Sequence, residues 1–342
     1  MKKAARKVLL ALLALVFVGS TSVVLYQYFQ REEAEDSYAE AESLVVLPDL
    51  DAIEPAVQMP SAQGPTQEIT QEQQAPAEKE PEPVYVDPYA DALRDMDFAA
   101  LREVNQEVLG WILIPYTKIS YPIVQGEDNS YYLKRTWRKT RSDVGAIFVE
   151  CQNSGDLLDF NTIIYGHRMN NRSMFGTLDY YKKADYLAEH PIIYITDDRG
   201  SHMYEIFSVY ETPVDSITYR IGLTDDLHKQ AYINWCLEQS VHDTGVVPEV
   251  DDRILTLSTC TGRGHATRWV VQAVLTGEML TEEAKQAAEE AAAEEPVEEE
   301  LAEELTDAAP DAENMNAAQA EDEASVEEEV VGASEQEERP AA

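Results

Sequence analysis

The sequence predicts a mainly β fold in which eight short strands close into a barrel. Strand-like runs with turn signals recur through the middle of the chain. That stretch of about 180 residues also holds most of the aromatic residues and all three cysteines, and it is long enough to bury a core. Charge separates it from the ends: residues 98–277 carry 23 acidic and 17 basic side chains, residues 30–97 carry 18 and 3, and residues 278–342 carry 24 and 2.

The N-terminus has the composition of a membrane segment. Basic residues at positions 2, 3, 6 and 7 precede an apolar run from Val8 to Phe29, and about 22 apolar residues span a bilayer as a helix. Polar residues at 19–22 interrupt the run, so a cleaved signal peptide is an alternative, but the apolar pattern resumes at Val23. We predict a basic stub and an uncleaved signal anchor over residues 1–29, with the rest of the chain extracellular.

Acidic segments flank the predicted barrel on both sides. Residues 30–88 are rich in Glu, Gln, Ala and Pro, and they predict an extended linker that holds the domain away from the membrane. Residues 278–342 are rich in Glu and Ala; their start favours a helix, and the like charges beyond it favour disorder. The tail is interpreted as a solvated segment, with binding of basic partners or cations as the alternative. Residues 89–277, between the two acidic segments, are the predicted folded domain.

The elements of this domain follow from residue periodicity. Apolar residues at helical spacing predict a helix over Asp97 to Leu109 and a second over Asp225 to Gln239, inserted before the strand that bears a cysteine. The predicted strands are Trp111–Ile114, Tyr121–Val124, Ala146–Val149, Thr162–Tyr165, Ile192–Thr196, Met203–Tyr210, Arg253–Thr259 and Arg268–Leu275.

The last two strands carry the most informative chemistry. A short glycine-containing loop joins them, which predicts neighbouring antiparallel strands. Alternation places Cys260 on the face of Thr256 and Ser258, opposite the leucines, and Arg268 returns beside the thiol. A structural cysteine would more naturally share the leucine face. Cys260 is therefore a candidate nucleophile, with Cys151 as the next in line.

A thiol needs a proton partner to act as a nucleophile, and His167 is the best candidate. It follows a short apolar run and Gly166, so it emerges at the end of a strand. His265 is closer in sequence to Cys260 but lies in the loop, and it ranks behind His167. Arg263, at the tip of the same loop, is the corresponding rival to Arg268.

Taken together, these segments resemble the class B sortases, the membrane-anchored cysteine transpeptidases of Gram-positive bacteria. The resemblance covers about residues 97–277, and its most specific elements are NTIIYGHRM and TLSTC followed by the later arginine. The resemblance implies that Cys260 is the nucleophile, His167 the proton-transfer partner and Arg268 the oxyanion or substrate-orienting residue. It also implies that Asn129 and Leu133 line the pocket for a sorting motif. Ser258 shares the face of Cys260 and is a further candidate for substrate contact.

The reaction implied is cleavage of a C-terminal sorting motif through a thioacyl intermediate, followed by transfer to an amine. The expected partners are proteins that bear the motif, with a peptidoglycan precursor or a pilin lysine as the acceptor. Two alternative hypotheses remain: a cysteine peptidase or amidase in which water replaces the amine, and a non-enzymatic, membrane-tethered acidic scaffold. We expect no cofactor, no metal and no nucleic-acid partner.

Three cysteines are an odd number, so at least one thiol is expected to be free. Cys151 and Cys236 are interpreted as independent thiols, with a disulfide between them as the alternative. The remaining histidines, His202 among them, have no motif around them and are interpreted as surface residues.

Overall fold

The prediction of a closed eight-stranded barrel is confirmed. A computed structural model of the 342-residue chain describes residues 2–49, 53, 87–261 and 266–291. The strands neighbour one another in the order β1-β2-β3-β4-β7-β8-β6-β5, and β5 closes the barrel against β1. Their bounds are β1 Val108–Leu113, β2 Ser120–Gln125, β3 Ile147–Val149, β4 Asn161–Tyr165, β5 Ile192–Asp197, β6 Gly200–Pro213, β7 Ile254–Cys260 and β8 Thr267–Leu280.

Five α-helices accompany these strands within the described residues up to position 261. They are α1 Lys2–Leu44, α2 Pro88–Leu93, α3 Ala99–Val104, α4 Ala184–Glu189 and α5 Asp226–Gln239. The predicted insertion before the cysteine-bearing strand is α5, which Asp225 caps by accepting a hydrogen bond from the His228 amide. Helical turns also follow the barrel over residues 282–291. The described residues up to Ala287 belong to one compact unit.

The predicted helix over Asp97 to Leu109 is wrong in its second half. Helix α3 ends at Val104, because Asn105 adopts an extended conformation and its side-chain amide donates to the carbonyl of Trp137 and the hydroxyl of Tyr132. Val108, which has the spacing of an apolar helical position, instead begins strand β1. A tertiary hydrogen-bonding partner overrides the helical periodicity there.

Helix α1 is apolar enough to cross a membrane and extends beyond the predicted anchor. An 18-residue window within Ala5–Leu44 has a mean hydropathy of 2.6, and none of it is buried. The helix continues to Leu44, so the linker predicted from residue 30 is wrong for residues 30–44. Those residues pack on the barrel, where Ala34 and Ala41 are almost fully buried. The rest of the linker lies mostly in residues 54–86, outside those described.

At the other end, the tail predicted from residue 278 begins too early, because β8 runs to Leu280 and pairs with Gly200. The tail beyond residue 291 lies outside the described residues.

Both faces of strand β7 are buried, which differs from a simple polar and apolar alternation. Leu255 and Leu257 belong to the main core inside the barrel. On the other face, Thr256 is fully buried beneath the inserted α5, where its hydroxyl donates to Asn161 and accepts from the amide of Gln272. A small second core, which includes Tyr232, holds α5 against this face. The hydroxyl-bearing face of β7 is therefore a covered surface that leads to Cys260.

A buried ion cluster ties the β5–β6 hairpin to the end of β8. His202, predicted to be a surface residue, is only 2% exposed, and its ring bonds Asp197 at 3.0 Å and Glu278 at 2.7 Å. Burial lowers the pKa of His202, but hydrogen bonds to the two carboxylates more than offset this, and the pKa is raised. Burial would raise the pKa of Asp197, yet hydrogen bonds from His202 and Arg199 lower it to about 2.

Candidate active site

The ends of β7 and β8 place a thiol and a guanidinium opposite each other. In the antiparallel ladder Cys260 is the direct partner of Arg268. Directly opposite residues project to the same face with their Cβ atoms about 5 Å apart. Arg268 also donates from Nη1 to the carbonyl of Thr267 at 3.1 Å. The rival residues Arg263 and His265 fall in residues 262–265, outside those that the structure describes.

A long-range parallel pairing brings His167 to the same edge of the barrel. Strand β4 pairs with β7 in parallel, with Tyr165 opposite Ser258. The pairing extends past the strand end, because the Gly166 amide donates to the Ser258 carbonyl at 3.2 Å and the Thr259 hydroxyl donates to the Gly166 carbonyl at 2.7 Å. His167, which follows the last residues of β4, therefore lies beside the end of β7, where Cys260 is located.

The imidazole of His167 is fixed by main-chain groups. Its Nε2 lies 2.7 Å from the carbonyl oxygen of Leu133. A carbonyl only accepts, so Nε2 carries a proton, and in the neutral ring Nδ1 is the nitrogen with a free lone pair. The His167 carbonyl accepts from the Phe175 amide at 3.0 Å. His167 is thus held through both its ring and its backbone.

A cavity of about 400 Å³ unites the predicted site residues. All six line it: Asn129, Leu133, His167, Ser258, Cys260 and Arg268. Its wall also contains residues that we did not single out as candidates from the sequence: Phe148, Glu150, Tyr165, Gly166, Val214, Tyr219 and Thr259. The cavity therefore combines a candidate nucleophile, base and cation with an apolar wall, as a groove for a peptide requires.

One end of the cavity is organised around Glu150, a nearly buried carboxylate. It accepts hydrogen bonds from the Asn129 side-chain amide at 2.6 Å and from the Tyr165 hydroxyl at 2.9 Å. The side-chain oxygen of Asn129, Oδ1, in turn accepts from the Cys151 main-chain amide at 2.9 Å. Asn129 therefore has a fixed orientation. The only sequence signal for Glu150 is an acidic residue directly after a buried strand.

The Ser258 hydroxyl does not face water, because Ser258 is 1% exposed and lies 2.9 Å from the hydroxyl of Tyr219. Burial raises the pKa of Tyr219 to about 12, against smaller lowering effects of Ser258 and of the nearby Arg268 charge. Tyr219 therefore stays neutral at physiological pH. It comes from the segment between β6 and β7, and no motif surrounds it in the sequence.

The three cysteines are free thiols with different surroundings. Burial raises the pKa of Cys236 to about 11. Burial and then the carboxylate of Glu150 raise the pKa of Cys151. Both effects disfavour the nucleophilic thiolate. Cys260 is half-buried, lines the cavity and faces Arg268, so it is the best-placed thiol for covalent chemistry.

Comparison with known proteins identifies relatives of this arrangement. Residues 112–276 match the family model of the sortase domain. The chain is 38% identical to sortase B of Listeria monocytogenes over 170 aligned residues. The alignment covers 50% of this chain and 67% of the relative.

Solved structures agree with this family match. A sortase B from B. anthracis in complex with AAEK2 matches 53% of this chain and 83% of its own, with a TM-score of 0.50 and 35% identity. A Staphylococcus aureus sortase B–substrate complex matches 52% of this chain and 84% of its own, with a TM-score of 0.50 and 31% identity.

Proposed function

The chain belongs to the class B sortases, cysteine transpeptidases that act on sorting motifs, and we propose that Cys260, His167 and Arg268 form its catalytic centre. One observation carries the proposal: the three side chains come from the ends of the neighbouring strands β4, β7 and β8 and line a single cavity. A nucleophile, a proton-transfer group and a fixed cation at one groove constitute the machinery of acyl transfer.

In the first step the thiol of Cys260 transfers its proton to Nδ1 of His167, and Sγ attacks the carbonyl carbon of the motif's threonine. The carbonyl oxygen becomes an oxyanion, and the guanidinium of Arg268, opposite Cys260, donates hydrogen bonds to it. Such preorganised donors are most effective in a partly dry groove. Arginine suits the position because it stays charged and presents several donors in a fixed plane.

In the second step the tetrahedral intermediate collapses and the C–N bond breaks. His167 returns its proton to the departing amine, which leaves a thioacyl bond between Cys260 and the threonine. In the third step an incoming amine attacks this carbonyl and gives its proton to His167. The new amide forms, and the thiolate departs and regains the proton from His167, so the enzyme is restored.

We propose that the motif lies along the wall formed by Asn129, Leu133 and Ser258. Leu133 is 38% exposed and offers apolar contact beside the histidine. Asn129 is held by Glu150 and offers a fixed amide at the far end. Ser258 acts together with Tyr219, whose hydroxyl it contacts. The acceptor is a primary amine, from a peptidoglycan precursor or from a pilin lysine.

We further propose that α1 anchors the enzyme as a single-pass segment, with the catalytic domain outside the cell. The basic residues at the start of the chain favour the cytoplasmic side, and the apolar residues up to Phe29 follow them. A substrate arriving at the membrane surface would then meet the domain close to its anchor. Protease protection of the full chain in sealed vesicles tests this orientation.

The central experiment is a peptide panel with NPxTx, SPxTx and LPxTx sequences, incubated with the full-length enzyme with and without an added amine such as triglycine or a lysine peptide. Mass spectrometry of the products distinguishes transfer from hydrolysis. We expect ligated product with the amine and a thioacyl adduct on Cys260 after rapid quenching. Hydrolysed product alone would instead indicate a peptidase, and no cleavage of any peptide would contradict the proposal.

A further inference from the structure

We propose that the part of α1 docked on the barrel, residues 31–44, belongs to the positioning framework of the catalytic histidine, and that Tyr38 is the positioning residue that links the two. The inference rests on the proposed role of His167. It extends that role by assigning a catalytic consequence to the helix that also carries the apolar segment. The supporting contacts form a continuous path from the helix to the imidazole.

The docked segment is a fixed part of the domain. Ala34, Tyr38 and Ala41 are 1%, 7% and 0% exposed, and their spacing places them on one helical face. The Trp137 indole donates to the Ser37 carbonyl at 2.9 Å. Asn171, in the loop after His167, donates to Glu35 at 2.8 Å. By contrast, the apolar residues of α1 before Phe29 are exposed. The helix therefore changes from exposed to partly buried where it meets the barrel.

Tyr38 reaches the wall of the histidine through Gly145. Its hydroxyl donates to the Gly145 carbonyl at 2.6 Å. Gly145 has a φ of +67°, and a Cβ placed there would lie 2.7 Å from Cδ2 of His167 and 3.0 Å from the Leu133 carbonyl oxygen. The backbone of Gly145 therefore lies close beside the imidazole, with no room for a side chain between them. The same Leu133 oxygen accepts the hydrogen bond from Nε2 of His167. A shift of Gly145 would move the ring, its hydrogen-bond acceptor or both.

Tyr38 also supports the backbone side of His167. Its ring meets the edge of Tyr121 with centroids 5.3 Å apart and an interplanar angle of 81°. The Tyr121 hydroxyl accepts from the Met174 amide at 2.9 Å, and the next residue, Phe175, donates to the His167 carbonyl. Two supports, one at the ring and one at the main chain, thus converge on a single side chain of α1.

Proton exchange depends steeply on the placement of the base, so a small displacement of the ring lowers turnover without weakening the binding of the peptide. Removal of the Tyr38 hydroxyl leaves the buried Gly145 carbonyl without this donor. We therefore expect Tyr38→Phe to lower kcat by about tenfold, while KM changes by less than about twofold.

The experiment uses the full chain in detergent micelles and the peptide that the wild type processes best in the panel. Tyr38→Phe is compared with Tyr28→Phe, a matched loss of one hydroxyl on the same helix at a residue that is 61% exposed. The pH profile of kcat/KM is recorded for both, because a displaced imidazole shifts the limb that depends on the histidine. Lower kcat and a shifted profile in Tyr38→Phe alone support the proposal. Wild-type kcat with an unshifted profile overturns it, whatever the change in melting temperature.

A double-mutant cycle separates positioning from general destabilisation. The rate at which iodoacetamide alkylates Cys260 is measured by proteolytic digestion and mass spectrometry, which distinguish it from the other two cysteines. The four proteins compared are the wild type, Tyr38→Phe, His167→Ala and the double variant. If Tyr38 acts through His167, the substitution slows alkylation in the wild type and has no further effect in His167→Ala. An equal loss in both backgrounds overturns the inference. Full peptide turnover by His167→Ala would instead refute the proposed catalytic centre, which is a distinguishable result.

Discussion

Replacement of Arg268 by lysine tests the oxyanion assignment most directly. Arg268 is the direct cross-strand partner of Cys260, so we expect its guanidinium to reach an oxyanion formed on a carbon bonded to Sγ. Lysine keeps the positive charge and loses the planar set of donors. Loss of one oxyanion donor typically costs a factor of about a hundred or more in kcat, or about 2.7 kcal/mol of activation free energy. We expect a loss of this size in Arg268→Lys.

The assay is steady-state transfer of a sorting-motif peptide to an added amine, together with the rate of alkylation of Cys260. The thiol reacts without an oxyanion, so its alkylation should change much less than kcat. Arg220→Lys is the matched control, because Arg220 is exposed in the segment that carries Tyr219 and does not line the cavity. Near-normal turnover in Arg268→Lys, combined with inactivity of Arg263→Ala, would refute the assignment in favour of the loop arginine.

The other predictions concern the thiol, the base and the buried ion cluster. Cys260→Ala should abolish cleavage and transfer while the melting temperature stays near that of the wild type; substantial residual activity would move the nucleophile elsewhere. His167→Ala should be nearly as damaging, since the leaving amine loses its proton donor, and a larger loss in His265→Ala would show that the base is misassigned. The pKa of His202 is raised above its ordinary value of 6.5, so its contribution to stability is complete below pH 6.5 and is lost as pH rises through the raised pKa. Urea unfolding from pH 5.5 to 9 should therefore show a decline that His202→Gln lacks, and parallel curves would contradict it. The pKa of Asp197, lowered to about 2, adds stability that is present above its unfolded value of about 3.8 and is lost as pH falls toward 2.

The local parts of the fold and site were predictable because short-range rules govern them. Strand periodicity and turn residues located all eight strands, although most of their ends shifted by one or more residues. Cys260 and Arg268 are separated by one short loop, so an antiparallel hairpin already implied their pairing, and the structure confirms it. Helix α5 followed from its apolar pattern, and the structure adds its Asp225 cap.

Long-range contacts decided the rest. The parallel pairing of β4 with β7 joins segments some ninety residues apart, as the hydrogen bond between Thr259 and Gly166 illustrates. No sequence periodicity specifies which strands become neighbours in a barrel, so only the family resemblance, and no local pattern, predicted that His167 lies near Cys260. The hydrogen bond between Asn129 and Glu150 likewise depends on the tertiary fold and not on a local sequence pattern.

The sequence by itself determined which residue types were available for the chemistry and where the strands and the apolar anchor lie, because these depend on local pattern and composition. Tertiary structure alone decided that residues 31–44 belong to the domain. Their acidic composition favours a solvated linker, and the buried face of Ala34, Tyr38 and Ala41 becomes meaningful only against the barrel that covers it. Burial is a property of two surfaces together, and a sequence pattern describes only one of them at a time.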